Sequence, residues 1–388
     1  IALAVQAGWL PDAGITPLIA GAGARRIQAR VTAADVEDVL AGVVALLQAT
    51  RAALDLEVLL ADDAGAARDA IARVAKVCAA MGLAPEHVMA LPDAYMTSHQ
   101  PDGPWPRGLT PAQAAEAIGA AFADARVGGG MLTNFTEFNR SPPNAAACDF
   151  VTHGTTAIVH AADDLSVLET LEALPAIFAS GAALGGGCSY RVGLSAIGMR
   201  SNPYGDAVAA NDDQVRRAMA QIDPRQRGLF AAAFAVGVVA AAHASHIEAI
   251  ALAAPVGPFG IVRRPEAWPQ PLFDADPSLL VFPLYHVVRA LAGLAESTPL
   301  ALCGLPRDVR GIGYVAGGEA RLVIANPSET PSRVILPDAM AFRVLDLGSF
   351  FAAARDPQWL ENAAASYAAA VDLGPYAVAF VRGADSAG

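Results

Sequence analysis

The stretch "DFVTHGTTAIVHAADDLSVLETLEALP" runs from Asp149 to Pro175, and its reading decides the fold. With Cys148 before it, "CDFVTHGTTAIVHA" reads as a strand, rich in β-branched residues. "SVLETLEALPAIF" then reads as a helix, because Ser166 is followed three residues on by Glu169, the pattern of a capping box. One strand and one capped helix make a β–α unit, and the fold depends on whether that unit repeats.

It repeats in both directions. Upstream, "IALAVQAG" (Ile1–Gly8), "RRIQARV" (Arg25–Val31), "LDLEVLLA" (Leu54–Ala61), "HVMALP" (His87–Pro92) and "GGGMLTNF" (Gly128–Phe135) are strands. Helices are expected from Thr32, as N-cap, to about Ala52 and over Ala66–Met81. A further helix follows the loop Asp93–Leu109, with Thr110 as N-cap, Pro111 at N1 and Gln113 completing a capping box. Downstream, "YRVGLSAIG" (Tyr190–Gly198) and "HIEAIALAA" (His246–Ala254) are strands seven and eight. A helix near Arg225–Ala242 lies between them, and "PLYHVVRALAGL" (Pro283–Leu294) ends the series.

Eight alternating strands predict an α/β fold, a (β/α)₈ TIM barrel over 1–295. A doubly wound sheet is the runner-up. It wants a glycine-rich turn opening a helix, whereas "GAGARR" at Gly21 precedes a strand. After Glu296 short strands such as "GIGYVAGG", "ARLVIANPS" and "YAVAFVRG" predict a small C-terminal β-sandwich over 296–388. A length of 388 residues suits two such domains at roughly 150 residues each.

Composition excludes some functions. A net charge of −12 argues against nucleic acid, whose phosphates need a basic face. Leu229–Ala242, the longest apolar run, has 14 residues, short of the ~18 of a membrane span. Cys78, Cys148, Cys188 and Cys303 form no C-x-x-C pair, so a reduced, cytoplasmic chain is expected. The chain opens at Ile1 inside a strand, without methionine, so an upstream piece of the native protein is expected to precede it. No feature specifies an oligomeric partner.

Barrel chemistry gathers at the C-terminal strand ends. Those ends carry Asp93 and Tyr95 after strand four, and Asn134, Glu137, Asn139 and Arg140 in "NFTEFNR" after strand five. His153, His160, Asp163 and Asp164 follow on strand six, and Arg200, Asn202 and Tyr204 in "GMRSNPYG" after strand seven. Each has a plainer reading: Asp93 as a turn residue, Asp163 or Asp164 as a helix cap, His153 as a core histidine. Glu137, flanked by Phe135 and Phe138, needs a partner, and Arg140 or Arg200 could form a structural ion pair with it. His153 and Thr155 share a face unless Gly154 makes a bulge, and adjacent Asp163 and Asp164 should point different ways.

This ring suits hydrolysis of an ester or lactone bearing hydroxyl groups. A carboxylate or histidine activates water and an arginine steadies the oxyanion. We assign Glu137 as general base or acid, His153 and His160 to binding or proton shuttling, and Asp163 or Asp164 to holding water or substrate. Arg200 faces the oxyanion. Asp93, Tyr95, Asn134, Asn139, Asn202 and Tyr204 bind substrate, and the loop Asp93–Gly108, with His99 and Trp105, is a lid.

Alternatives remain open. A glycosidase needs two facing carboxylates, and strand seven ends without one. A serine hydrolase lacks its G-x-S-x-G. A sugar isomerase would use Glu137, His153, His160 and Asp163 as ligands for a divalent metal, although no cofactor is otherwise expected. A barrel that binds carbohydrate without catalysis is the non-enzymatic reading.

The segments "VGGGMLTNFTEFNR", "DFVTHGTTAIVHAADDLSVLETLEALP", "YRVGLSAIGMRSNPYG" and "DPRQRGLFAAAFAVG" together resemble the D-apionate lactonases of bacterial apiose catabolism. The likeness covers most of the chain and is most specific over 127–237. It implies a glycoside-hydrolase-like barrel with an accessory β domain and a further N-terminal region. It also implies opening of D-apionolactone to D-apionate, with a small sugar lactone as the partner. It assigns no catalytic residues.

Overall fold

Side-chain alternation along the strands determines what fills the barrel. The computed structural model describes residues 1–383, so residues 384–388 of the expected C-terminal domain lie outside it. Eight parallel strands close in chain order: β1 (Ala2–Val5), β2 (Arg26–Val31), β3 (Ala53–Leu60), β4 (His87–Pro92), β5 (Arg126–Asn134), β6 (Phe150–Thr156), β7 (Ser189–Ala196) and β8 (Ala249–Ala253), which pairs back to β1. The barrel helices are α1 (Thr16–Ala22), α2 (Val36–Thr50), α3 (Ala64–Met81), α4 (Pro111–Ala121), α5 (Phe135–Arg140), α6 (Asp164–Leu184), α7 (Leu229–Ala244) and α8 (Pro283–Leu291).

Local chemistry explains most boundaries. Asp63 caps α3, accepting from Gly65 N and Ala66 N, and the Thr110–Gln113 capping box starts α4 as its sequence requires. Two starts differ from expectation. Helix α2 begins at Val36 and not beside Thr32, because Asp35 accepts from Thr32 N at 2.6 Å and holds that segment as a turn. Helix α6 is capped by Asp163 and not Ser166: Asp163 accepts from Ser166 N at 2.9 Å and Ser166 Oγ at 2.7 Å. On β5, Gly130 has φ +125°, and a Cβ there would lie 2.1 Å from the Thr152 carbonyl oxygen, so glycine lets β6 approach.

Arg26, Gln28 and Arg30 alternate along β2, and Gln28 and Arg30 lie in register with Asp55 and Glu57 of β3. The result is two layers of buried charge. In the lower one Asp55 accepts from Arg26 at 2.6 and 2.8 Å and from Arg191 at 2.6 Å, and lies 3.1 Å from His87 Nδ1. Arg191 also donates to Glu248 at 2.8 Å. Burial opposes the Asp55 charge, yet Arg26, His87 and Arg191 outweigh it and hold its carboxyl at about 2. This cluster closes the N-terminal end of the barrel, the end that serves stability.

Helix α6 has 21 residues and a window of mean hydropathy 1.4, by length and composition enough to cross a membrane, in contrast to the sequence expectation. It is the sixth barrel helix, burying Val167, Leu171, Leu174 and Phe178.

Beyond the barrel lie β9 (Thr298–Leu300), β10 (Arg310–Ala316), β11 (Glu319–Ala325), β12 (Ser332–Leu345), β13 (Ser366–Leu373) and β14 (Val378–Arg382), with α9 (Phe350–Arg355) and α10 (Trp359–Asn362) between β12 and β13. They form an antiparallel sheet in the order β13-β12-β14-β11-β10-β9. Alternation divides its two faces. Leu322, Ile324, Ala379 and Val381 build the domain's own core, while Val323, Ala325, Val378 and Phe380 join the barrel core. Helix α7, buried along nearly all its length, packs on β10, β11 and β14.

Candidate active site

The C-terminal strand ends open into a cleft of about 1040 Å³. Its floor is the upper charged layer. Arg30 Nε donates to Glu57 Oε2 at 2.8 Å, and Arg30 Nη2 donates to the Leu132 carbonyl at 3.1 Å. Arg200 Nη1 donates to the same Glu57 oxygen at 3.2 Å, and its Nε donates to Gln6 Oε1 at 3.0 Å. The Arg200 guanidinium lies 5.4 Å from the Trp9 ring centroid. Burial, reinforced by the charge of Arg30, pulls Arg200 down to about 9 despite Glu57. Two buried cations thus share one buried carboxylate.

Asp93, just past β4, lines the same cleft and is exposed to it. Partial burial and the nearby Asp62 carboxylate raise its pKa, which suits a group that takes and returns a proton. The far wall is built on Glu137. This carboxylate is buried in α5, accepts from Ser98 Oγ at 2.8 Å and from Asn134 N at 3.3 Å, and so closes the first turn of its helix. Arg140 Nη1 donates to Ser98 Oγ at 2.6 Å. Ser98, Arg140 and Tyr204 line the cleft, and Ser98 N donates to the Pro203 carbonyl at 2.7 Å, tying the loop after β4 to the loop after β7.

The structure therefore gathers Asp93, Arg200, Asn202 and Tyr204 in the cleft, with Glu137 one hydrogen bond behind it. Asn202 shapes its loop, donating to the Ala207 carbonyl at 2.8 Å and accepting from Tyr204 N at 3.0 Å. Asn134 lies beneath, lining a cavity of about 20 Å³.

Other expected site residues are placed elsewhere. Phe150 and Thr152 point into the barrel, so strand alternation turns His153 outward among Phe135, Phe138 and Tyr190, at the edge of that small cavity, while the register shift at Gly154 parts Thr155 from it and brings Thr155 to Ser195 Oγ at 2.8 Å. His153 Nδ1 donates to the Gly154 carbonyl at 2.8 Å, so Nε2 accepts from Tyr190 Oη at 2.5 Å. Burial holds this histidine neutral, down to about 4, though the Gly154 carbonyl opposes the shift. Asp163 is the α6 cap. Asp164 pairs with Arg225 and Arg216, each at 2.8 Å. The two aspartates do point different ways, and neither lines the cleft. β6 ends at Thr156, leaving His160 in an exposed loop. Tyr95 turns from the mouth to stack on Trp105, ring centroids 6.1 Å apart, and Asn139 is exposed on α5. No group of three or more metal-ligating side chains exists among the described residues, so Glu137, His153, His160 and Asp163 do not assemble as a ligand set.

The floor residues Gln6, Arg30 and Glu57 escape a reading confined to strand ends. A signal is present: Glu57 interrupts the apolar strand "LDLEVLL", and a charge there demands a partner. The neighbouring strand supplies it with Arg30, in phase with Arg26 and Gln28.

Residues 18–296 match the family model described as D-apionate lactonase, TIM barrel domain, and 306–381 the model described as D-apionate lactonase, C-terminal immunoglobulin-like domain. A D-apionate lactonase from Brucella anthropi is 41% identical over 218 residues, which cover 56% of this chain and 34% of that protein. The chain thus spans about a third of the length of that curated relative. Among solved structures, a conserved exported protein from Bacteroides fragilis aligns with a TM-score of 0.60 at 9% identity, covering 98% of this chain and 97% of that one. A GH30 endoxylanase from Clostridium papyrosolvens aligns with a TM-score of 0.58 at 10% identity, covering 98% and 95%. Identities this low speak for the fold alone. The two family models follow one another along most of the sequence, and the chain belongs to the D-apionate lactonase family.

Proposed function

We propose that this chain hydrolyses a sugar lactone, opening D-apionolactone to D-apionate in carbohydrate catabolism. The observation that carries the reading is the pairing of two buried arginines over a single carboxylate in a cleft that Asp93 also lines. Family membership supports the same substrate class.

In this reading Asp93 takes a proton from water as the water oxygen bonds to the lactone carbonyl carbon. The negative charge on the former carbonyl oxygen is stabilised by Arg200, already held by Glu57 and Gln6 and needing little reorganisation. The intermediate collapses, the bond from acyl carbon to ring oxygen breaks, and the leaving alkoxide takes the proton back from Asp93. Arg140, Ser98, Asn202 and Tyr204 offer hydrogen bonds to the hydroxyl groups of the sugar. Glu137 positions Ser98 and the α5 turn.

In this proposal the route uses no metal, and the chain works in a reducing compartment, which its four unpaired cysteines favour. The test is acid release from D-apionolactone and related aldonolactones, before and after chelator. Release that survives chelation supports the proposal. Release abolished by chelator and restored by a divalent ion removes the metal-free route, and no release from any lactone removes the reading.

A further inference from the structure

The cleft floor poses a charge problem of its own. The side chains of Arg30 and Arg200 are only 10% and 8% exposed, and Glu57 is the one carboxylate bonded to them among the described residues. The trio carries one excess positive charge in a poorly solvated place, an arrangement that costs stability unless an anion completes it.

A second observation says where the anion belongs. Arg200 Nη2, Asn134 Nδ2 and Thr133 Oγ1 are buried without a hydrogen-bond partner. All three residues line the cavity of about 20 Å³ beneath the cleft, and Arg30, Arg200 and Ser201 line both spaces. Two of the three orphan groups are pure donors and the third can donate, so together they call for an acceptor. The cavity is large enough for one oxygen-sized group.

We infer that the floor of the cleft is a carboxylate subsite, in which Arg200 Nη2 and its neighbouring donors take one oxygen of a polyhydroxy acid. The inference rests on the lactonase reading for its choice of acid, the product of ring opening. The neutral lactone brings no charge to this place, and the product does. The free protein therefore holds the hydroxy acid more tightly than a neutral polyol of the same size, and the product competes with the lactone for the cleft.

Titration calorimetry tests this with sodium D-apionate, prepared by alkaline opening of the lactone, and with sodium D-gluconate. Sorbitol and matched sodium chloride are the controls. Trp9, beside Arg200, gives an independent fluorescence readout. At least one acid is expected to bind tenfold or more tighter than sorbitol. Arg200→Met should weaken that binding at least tenfold, and Arg200→Lys by less. Equal binding of acid and polyol overturns the inference, as does an equal response to sodium chloride alone or undiminished binding by a folded Arg200→Met protein. If neither variant folds, the comparison of acid with polyol on the unaltered protein still decides. Lactone turnover without acid binding sinks this inference and spares the lactonase reading. Acid binding without turnover of any lactone does the reverse.

Discussion

Arg30 and Arg200 donate to one and the same atom, Glu57 Oε2, at 2.8 and 3.2 Å. Removing that negative charge leaves two buried guanidiniums facing each other. Glu57→Gln is expected to cost about 3–5 kcal/mol, the scale for breaking a buried ion pair from one side. Chemical denaturation measures it, and a variant as stable as the parent would show that solvent or another group already compensates the arginines.

Asp93 is the exposed carboxyl assigned to proton transfer. Asp93→Asn should lower lactone turnover by about 10²–10⁴-fold, the usual contribution of a positioned acid or base, with an unchanged melting temperature. Its raised pKa fixes the pH dependence. The basic form is present above that pKa and is lost as pH falls through it, so turnover declines on the acid side at a higher pH than an ordinary aspartate would give. A rate profile that keeps this acid limb in Asp93→Asn would assign the limb to another group.

Asp163 and His160 lie outside the cleft, so substitution there separates the helix cap from the chemistry. Asp163→Ala is expected to lower the melting temperature slightly through loss of the α6 cap and to leave kcat and KM unchanged. His160→Ala should alter neither stability nor rate. A hundredfold loss of turnover in either variant would return strand six to the active site.

Stability should fall in acid in two stages. His153, held at about 4 by burial, contributes stability that is present above its ordinary value of 6.5 and is lost as pH drops toward 4. Asp55 and Glu248, both held at about 2, contribute stability present above 3.8 and 4.5 and lost as pH falls toward 2. His87 works the other way: its pKa is raised because Asp55 and Glu248 outweigh burial, so its contribution is full below 6.5 and is lost as pH rises through its raised folded value. Melting curves across this range check the signs, and His153→Gln should flatten the first stage.

The barrel was legible because each strand signal is local: apolar residues in alternation, then a capped helix. All eight strands, from "IALAV" to "AIALA", form where that pattern puts them, although β6 stops at Thr156, short of His160. The lining of the cleft was legible only where it sits on loops leaving the strands, as with Asp93 and the Arg200–Tyr204 segment. Strand six misled because ionisable residues close in sequence need not converge. His153 faces the helices because Phe150 and Thr152 take the inward positions of β6, and Asp163 was drawn into its own helix cap. Glu57 and Arg30 were hidden for the opposite reason. They are separated by 27 positions in the chain and meet only when β2 and β3 pair in register.

Helix α7 has no polar face to turn outward. Its apolar residues are divided between the barrel and the C-terminal sheet, with Phe230 against Tyr376 at 5.1 Å between ring centroids. Neither half can be cut away without exposing the other's interior to water. The junction near residue 296 is therefore a boundary of topology and not of packing: the halves are expected to unfold in one transition, and exchanging one for a foreign module would require rewriting α7 as well.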